Sequence, residues 1–265
     1  MIKIAIINAS TVLTDAQVKA AVPSLQKQID MDFGPAWGVA ATLRFVPHGQ
    51  APLPGEWWLA ILDNSDQAGA LGYHDLTTAG LPLSKVFAGT DKQYGLSWTV
   101  TASHELLEML VDPNINLTVF EQGPLGARLY AYEVCDAVES DAYAYPIDGV
   151  LVSDFVLPSW FESFRQAGST AFDFRNRLTA PFELLPGGYI GVNDLARGIG
   201  WYQIEHGQAS ALSKAPLGSR RQRRSVAPEQ RLPSTAMPGS GGEDRPADEP
   251  IVVAETVEIE AEIVT

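Results

Sequence analysis

The chain has 265 residues, of which 46% are hydrophobic, and its formal net charge is −14. This length and apolar content predict a domain with a real core, and the acidic balance disfavours nucleic acid, whose binding depends on neutralising phosphates. The single cysteine, Cys135, excludes an internal disulfide, and no apolar run is long enough to span a membrane. Residues 1–10 lack the regions of a cleaved signal peptide. We therefore expect a cytoplasmic protein with no nucleic-acid or membrane partner, and leave open export by a route without a cleaved signal.

The first ninety residues predict several strands around one helix. The helix follows the first strand, is capped by Thr14, and has apolar residues at helical spacing. Pro23 lies inside this pattern and should kink the helix or mark its true start. Residues 32–38 indicate a turn-rich connector with two aromatic anchors. The predicted strands are residues 2–8, 41–47, 56–63, 68–76 and 85–89.

A histidine and three carboxylates share one face of the helix predicted from about residue 98 to residue 111. At about 100° per residue, Glu105, Glu108 and Asp112 all fall within roughly 100° of His104, and the opposite arc is apolar. Carboxylates three or four residues apart on one face repel each other, and a divalent cation would remove that cost. The spacing differs from the zinc-hydrolase motif H-E-x-x-H because Glu108 replaces the second histidine. The alternative interpretation is a solvated acidic face with a chance histidine.

A second acidic cluster follows the helix in the sequence YEVCDAVE. A metal bound by two helix residues needs a third protein ligand and keeps one position open for water. Two of the acids, Glu133 and Asp136, would face the same way on a helical turn. We expect Glu133 to ligate the metal and Asp136 to accept a hydrogen bond from His104, and the reverse assignment stays open. Cys135 would point elsewhere as a small buried hydrophobe. The candidate ligands in this cluster are Glu133, Cys135, Asp136 and Glu139.

His74 lies in the predicted strand that precedes the metal helix by a short hairpin. In zinc hydrolases a strand beside the active-site helix often lines the substrate cleft. His74 could therefore bind substrate or stabilise an oxyanion. We predict that it lies near His104 without ligating the metal. The alternative is a surface or hydrogen-bonded structural histidine.

Four stretches of the chain resemble a widespread bacterial protein family that is similar to the zincin metallopeptidases. They are DFGPAWG (32–38), SHELLEMLVDP (103–113), YEVCDAVESDAY (132–143) and VSDFVLPSWF (152–161). The family has an H-E-x-x-E helix followed by an E-x-x-D element, and the resemblance covers roughly residues 2–205. It implies a zincin-like fold, peptidase activity, and a metal at His104, Glu108 and either Glu133 or Asp136.

The expected fold is α+β, with a small mixed sheet packed on two or three helices and the metal helix beneath the edge strand. The leading hypothesis is a zinc-dependent peptidase that acts on a peptide or protein substrate. Glu105 would take a proton from the bound water and later pass it to the leaving amine. Because two carboxylate ligands make the site more anionic, Mn²⁺ or Ca²⁺ are alternative cations. The alternative function is an inactive structural or interaction protein, whose metal only locks the helix to the second acidic cluster.

The composition of the chain changes near Lys214. We predict a metal-binding domain over residues 1–213 and a disordered linker over residues 214–250, which are rich in proline, glycine, serine and charge. Residues 251–265 are rich in β-branched side chains, which favour a strand that adds to the sheet edge of a protein partner. The alternative for these last residues is a disordered acidic end.

Overall fold

The computed structural model describes residues 1–66, 70–123, 126–198 and 200–207, and shows a mixed α+β protein. The strands are β1 (Ile2–Asn8), β2 (Ala41–Val46), β3 (Trp57–Leu62), β4 (Gly72–Leu76), β5 (Pro82–Phe87), β6 (Thr118–Gly123), β7 (Gly126–Ala131), β8 (Tyr145–Ile147), β9 (Val150–Val152), β10 (Tyr189–Asp194) and β11 (Trp201–Glu205). The helices are α1 (Asp15–Lys27), α2 (Gly34–Trp37), α3 (Ala88–Tyr94) and α4 (Trp98–Val111), with a π-helical segment at Gln28–Phe33 and 3-10 turns at Asp136–Val138 and Pro158–Phe161. The predicted linker and docking peptide, residues 214–250 and 251–265, lie outside the described residues.

Five strands form the main sheet in the order β2-β1-β3-β5-β4. The first four run parallel, and the edge strand β4 runs antiparallel to β5. Alternate residues of β1 face two different cores, because successive side chains of a strand point to opposite faces. Ile4 and Ile6 belong to the larger core with residues of α1 and α4, whereas Ala5 and Ile7 belong to a smaller cluster. The sheet is therefore mixed, and both long helices pack on the same face of it.

Strand β4 approaches helix α4 closely at Gly72. A Cβ at this position would lie 2.8 Å from Glu105 Cγ and 2.9 Å from Thr101 Cγ2 of the helix. A side chain larger than hydrogen would therefore force the strand away from the helix. His74, two residues along the same strand, therefore lies on the helix-facing side of the sheet. Its register partner on β5, Ser84, donates a hydrogen bond to Glu105 O of the helix.

The second half of the chain adds a four-stranded antiparallel sheet, β11-β10-β7-β6, and a separate hairpin, β8-β9. The sequence of residues 143–161 predicts two strands that turn at Asp148-Gly149. The hairpin turns at these two residues, and both have positive φ, 49° and 86°. The predicted limits of the metal helix agree with those of α4. Helix α3, strands β6 and β7, and strands β10 and β11 have no clear counterpart among the predicted elements.

The connector predicted at residues 32–38 is wrong, because this stretch is helical. Helix α1 runs through Pro23, and the chain continues as the π-helical segment and then α2, which ends at the left-handed residue Gly38. The two aromatic residues do act as anchors: Phe33 is fully buried, and its ring lies 6.0 Å from that of Trp37 and 4.9 Å from that of Phe155. Burial of Phe33 stabilises a helical path that the local turn residues disfavour.

Gln28 is fully buried in the π-helical segment and joins three elements. Its Nε2 donates to Ser153 O at 2.8 Å and to Tyr145 Oη at 3.1 Å, and its Oε1 accepts from Ser103 Oγ at 2.6 Å. Ser103 Oγ also accepts from Ser153 N at 3.0 Å. The network fixes the α4 residue that precedes His104 against the π-helical segment and the chain just after the β8-β9 hairpin.

Replacing Gln28 with leucine should lower the free energy of unfolding by about 2–4 kcal/mol, because the buried groups of Ser103, Ser153 and Tyr145 lose a hydrogen-bond partner. Denaturant unfolding of the metal-free protein measures the change. The matched control is Gln93→Leu at an exposed position of α3, which should change the stability by less than about 0.5 kcal/mol. Equal effects of the two substitutions would contradict a structural role for the network.

Candidate metal centre

Helix α4 is buried along its whole length after Trp98, including its acidic face. The residues of that face are 8% exposed at His104, 6% at Glu105 and 3% at Glu108, and Asp112 is fully buried. The solvated acidic face is therefore wrong for this helix. Burying charged groups costs free energy unless they are paired or coordinate a metal. The groups that contact these side chains therefore indicate whether the face is suited to binding a metal.

The first group of candidate metal ligands consists of His104, Glu108 and Asp136. His104 Nε2 lies 3.4 Å from Glu108 Oε1 and 3.3 Å from Asp136 Oδ1. These separations exceed the usual N–H···O distance of about 2.9–3.0 Å. They agree with the separation of about 3.3–3.5 Å between neighbouring donors of a tetrahedral zinc ion, given zinc–ligand bonds of about 2.0–2.2 Å. One imidazole and two carboxylates thus form a donor set that suits a divalent cation.

Asp136 is positioned by the short segment that covers helix α4. Cys135 N donates to Glu108 Oε1 at 3.1 Å, and the 3-10 turn Asp136–Val138 follows directly. Gly188 packs on this turn so closely that a Cβ there would lie 2.2 Å from Ala137 O. The next residue, Tyr189, hydrogen-bonds the Asp136 carboxylate. Sequence reasoning missed Tyr189, because it lies on β10, far along the chain, in a stretch without a clear motif.

Glu133 and Asp136 do not share one helical turn, contrary to the expectation from their spacing. Glu133 precedes the 3-10 turn, and its Oε2 lies 3.6 Å from His74 Nε2. Asp136 instead lies beside His104. The geometry thus favours the assignment that the sequence left open, in which Asp136 ligates the metal, and the choice between the two acids stays a prediction.

His74 is 1% exposed on the edge strand β4 and faces the acidic side of α4. Its Nδ1 lies 3.6 Å from Glu105 Oε2 and 3.7 Å from Glu108 Oε2. The three residues form a second group whose ligand atoms all lie within 4.8 Å of one another. His74 is therefore not a surface histidine, and it belongs to the same buried cluster as the candidate metal ligands.

The buried centre shifts the pKa values of its ionisable groups. Burial raises the pKa of Asp136 to about 6, with a further contribution from the negative charge of Glu108. Burial also raises the pKa of Glu139 to about 8, and its Oε2 has no hydrogen-bond partner among the described residues. For His104, burial acts to lower the pKa, but Glu108 and Asp136 outweigh it and raise the pKa well above its ordinary value. Without a cation, this centre therefore retains protons near neutral pH.

Comparison of the chain with protein-family models, curated proteins and solved structures finds no match. No helix among the described residues is long and apolar enough to cross a membrane. The function of the protein must therefore be inferred from the geometry and chemistry of this buried centre.

The metal-free protein should become less stable as pH rises from about 6 to about 8. In this range the folded protein keeps protons on Glu139 and His104, whereas the same groups of the unfolded chain have released theirs. Because the folded state binds more protons, rising pH lowers the free energy of unfolding. Calorimetry with a chelator present should show a falling Tm, by about 2–4 °C for each kcal/mol lost. Saturating zinc should reverse the fall, because the cation replaces the protons.

The matched variant Glu139→Gln should reduce the slope of Tm against pH in the chelator, because it removes one of the two retained protons. A Tm of the wild-type protein that stays constant or rises over this pH range would contradict the proton balance of the centre.

Asp136→Asn and Glu133→Gln should separate the roles of the two acids. Losing a ligating carboxylate should weaken the tightest zinc binding more than ~100-fold, whereas losing a group that at most orients a histidine should weaken it by no more than about 10–100-fold. Titration against a competing chelator measures both affinities. If Glu133→Gln has the larger effect, Glu133 is the ligand and Asp136 the orienting group.

Proposed function

We propose that the protein is a zinc-dependent metallopeptidase-like hydrolase in which His104, Glu108 and Asp136 hold the metal. The fit of this donor set supports the proposal, since imidazole and carboxylate ligands about 3.3–3.5 Å apart suit a tetrahedral divalent cation. When bound, the cation would polarise a substrate carbonyl and lower the pKa of water. Mn²⁺ or Ca²⁺ remain alternative cations because two of the three ligands are carboxylates.

The observation that favours an enzyme most is the presence of two further buried ionisable residues, Glu105 and His74. They are 6% and 1% exposed, and Glu105 Oε2 lies 3.6 Å from His74 Nδ1. The first donor group needs neither residue, and burying ionisable groups costs free energy. A centre that only locked the fold would have no use for them, whereas a hydrolase needs a base and a residue that positions it.

Glu105 is the proposed general base. It follows His104 directly in α4, so the same helix that presents the ligand also presents the base. Glu105 Oε2 would accept a proton from the attacking water and return it to the leaving amine. His74 faces Glu105 from β4 and can orient its carboxylate, and its direct contact with substrate or an oxyanion stays a prediction.

The edge strand β4 supports a peptide or protein as the substrate. An edge strand presents backbone N–H and C=O groups on its outer side, and an extended peptide can pair with such an edge. The position of β4 beside the metal helix also agrees with the expected fold, in which the metal helix lies beneath the edge strand, and so supports the proposed zincin-like fold. The cytoplasmic location and a protein partner for residues 251–265 remain predictions from the sequence.

The second candidate is an inactive protein whose metal locks α4 to the segment around Asp136. The observation in its favour is burial: His104, Glu108 and Asp136 are 8%, 3% and 6% exposed, as in a closed structural site. The hydrogen bond from Cys135 N to Glu108 Oε1 joins α4 to the segment around Asp136, and a metal that locks these two elements together would reinforce this contact. The two candidates differ in what they require of Glu105.

Glu105→Gln should keep the tightly bound zinc and the fold but lower peptide hydrolysis by about 10²–10⁴-fold, because glutamine cannot accept the proton. Cleavage of a peptide library followed by mass spectrometry gives the rates, and metal analysis gives the zinc content. The matched control is Glu162→Gln, which changes a surface ion pair with Arg165 and should leave the rate unchanged. Wild-type cleavage that persists in Glu105→Gln would contradict Glu105 as the base. A wild-type protein that binds zinc tightly but cleaves nothing would favour the structural role.

A further inference from the structure

Glu108 presents its two carboxylate oxygens to two different histidines. Oε1 lies 3.4 Å from His104 Nε2, and Oε2 lies 3.7 Å from His74 Nδ1. The two imidazoles come from different elements, α4 and β4. A carboxylate placed in this way can bridge two cations, with one oxygen on each, as in enzymes with two metals about 3.5–4 Å apart.

The second side of this carboxylate has its own set of donors. His74 Nδ1 lies 3.6 Å from Glu105 Oε2 and 3.7 Å from Glu108 Oε2, and all three ligand atoms lie within 4.8 Å of one another. The set repeats the composition of the first, with one imidazole and two carboxylates. Its separations are only a few tenths of an ångström longer than the edge of about 3.3–3.5 Å in a tetrahedral zinc site.

The second nitrogen of His74 is placed to fix the tautomer that such a site needs. His74 Nε2 lies 3.6 Å from Glu133 Oε2, on the other side of the ring from Glu105 and Glu108. A proton on Nε2 would point toward Glu133 and leave the Nδ1 lone pair for a cation. A carboxylate beside the distal nitrogen of a ligating histidine is the usual arrangement in metal sites. This gives Glu133 a role that the first centre does not supply.

The charge of the cluster also favours two cations over one. Besides Glu105 and Glu108, the acids Glu133, Asp136 and Glu139 interact with one or other of the two histidines. The five acids outnumber the two negative charges that one divalent cation offsets, and protons held in the cluster can be released when a cation binds. Uncompensated charge in a protein interior is strongly unfavourable.

We propose that a second divalent cation binds to His74, Glu105 and Glu108, next to the first and bridged to it by Glu108. The inference shares Glu108 with the proposed function and so rests on the first centre. It also predicts regulation of the proposed hydrolysis by metal concentration, because a cation on Glu105 Oε2 would occupy the lone pair that accepts the proton. The second site should be the weaker one, since the first cation already engages Glu108.

Zinc stoichiometry of the full chain tests this proposal without any measurement of activity. Metal-stripped protein is dialysed to equilibrium against increasing ZnCl₂, and bound zinc is counted by mass spectrometry. The wild-type protein should bind two zinc ions per chain, His74→Gln one, His104→Gln one, and the double variant none. The matched control is Asp75→Asn, because Asp75 lies on the same strand and its side chain points to the opposite face of the sheet. This variant should bind two zinc ions.

The outcomes separate the two centres. One zinc ion per wild-type chain, lost in His104→Gln and kept in His74→Gln, would overturn the second site and leave the first intact. No zinc bound to the wild-type chain would overturn both. Circular dichroism checks that each variant is folded. If His74→Gln does not fold, Glu105→Gln replaces it and should likewise bind one zinc ion instead of two; binding two would contradict the inference.

Discussion

The constraint on which the rest of the structure depends is the burial of an acidic helix. Helix α4 is enclosed from Thr99 to Val111, yet it presents His104, Glu105 and Glu108 on one face. Buried ions cost several kcal/mol each unless partners compensate them. The surrounding elements supply those partners, since the close approach at Gly72 lets β4 bring an imidazole to the helix, and the segment after β7 brings a further carboxylate.

The buried carboxylates of α4 fall into two kinds. Asp112, at the end of the helix, is used by the backbone, because its Oδ1 accepts hydrogen bonds from the N–H groups of Asn116 and Leu117. Such a carboxylate stabilises a chain turn and has no need of a cation. The carboxylates of Glu105 and Glu108 instead lie 3.6 Å and 3.7 Å from His74 Nδ1. Glu108 also accepts a hydrogen bond from Cys135 N. A single acidic stripe in the sequence therefore combines a structural group with groups suited to chemistry.

The predictions that agreed with the structure depended on local physics. Helix α4 ends before Asp112-Pro113, because the residue before a proline is disfavoured in helical conformation, and the β8-β9 turn falls at Asp148 and Gly149 because both adopt positive φ. The connector predicted around Phe33 was wrong, since burial of this ring against Trp37 and Phe155 outweighs the turn preference of the neighbouring glycine and proline. Strands β6 and β7 of the second sheet were missed because β6 has no buried residue and β7 buries only its last two, so neither sequence contains a run of apolar core residues.

The sequence by itself determined that a histidine and two glutamates share one helix face, because the spacing of residues on a helix is fixed by local geometry. It also restricted the remaining ligand to a short acidic segment. Only the tertiary structure decided that Asp136 lies beside His104 while Glu133 lies beside His74, and that the two oxygens of Glu108 face different imidazoles. Those contacts join residues that are far apart in the chain, and they depend on strand order and on the close packing of β4 against α4. Neither can be read from the spacing of residues along the sequence.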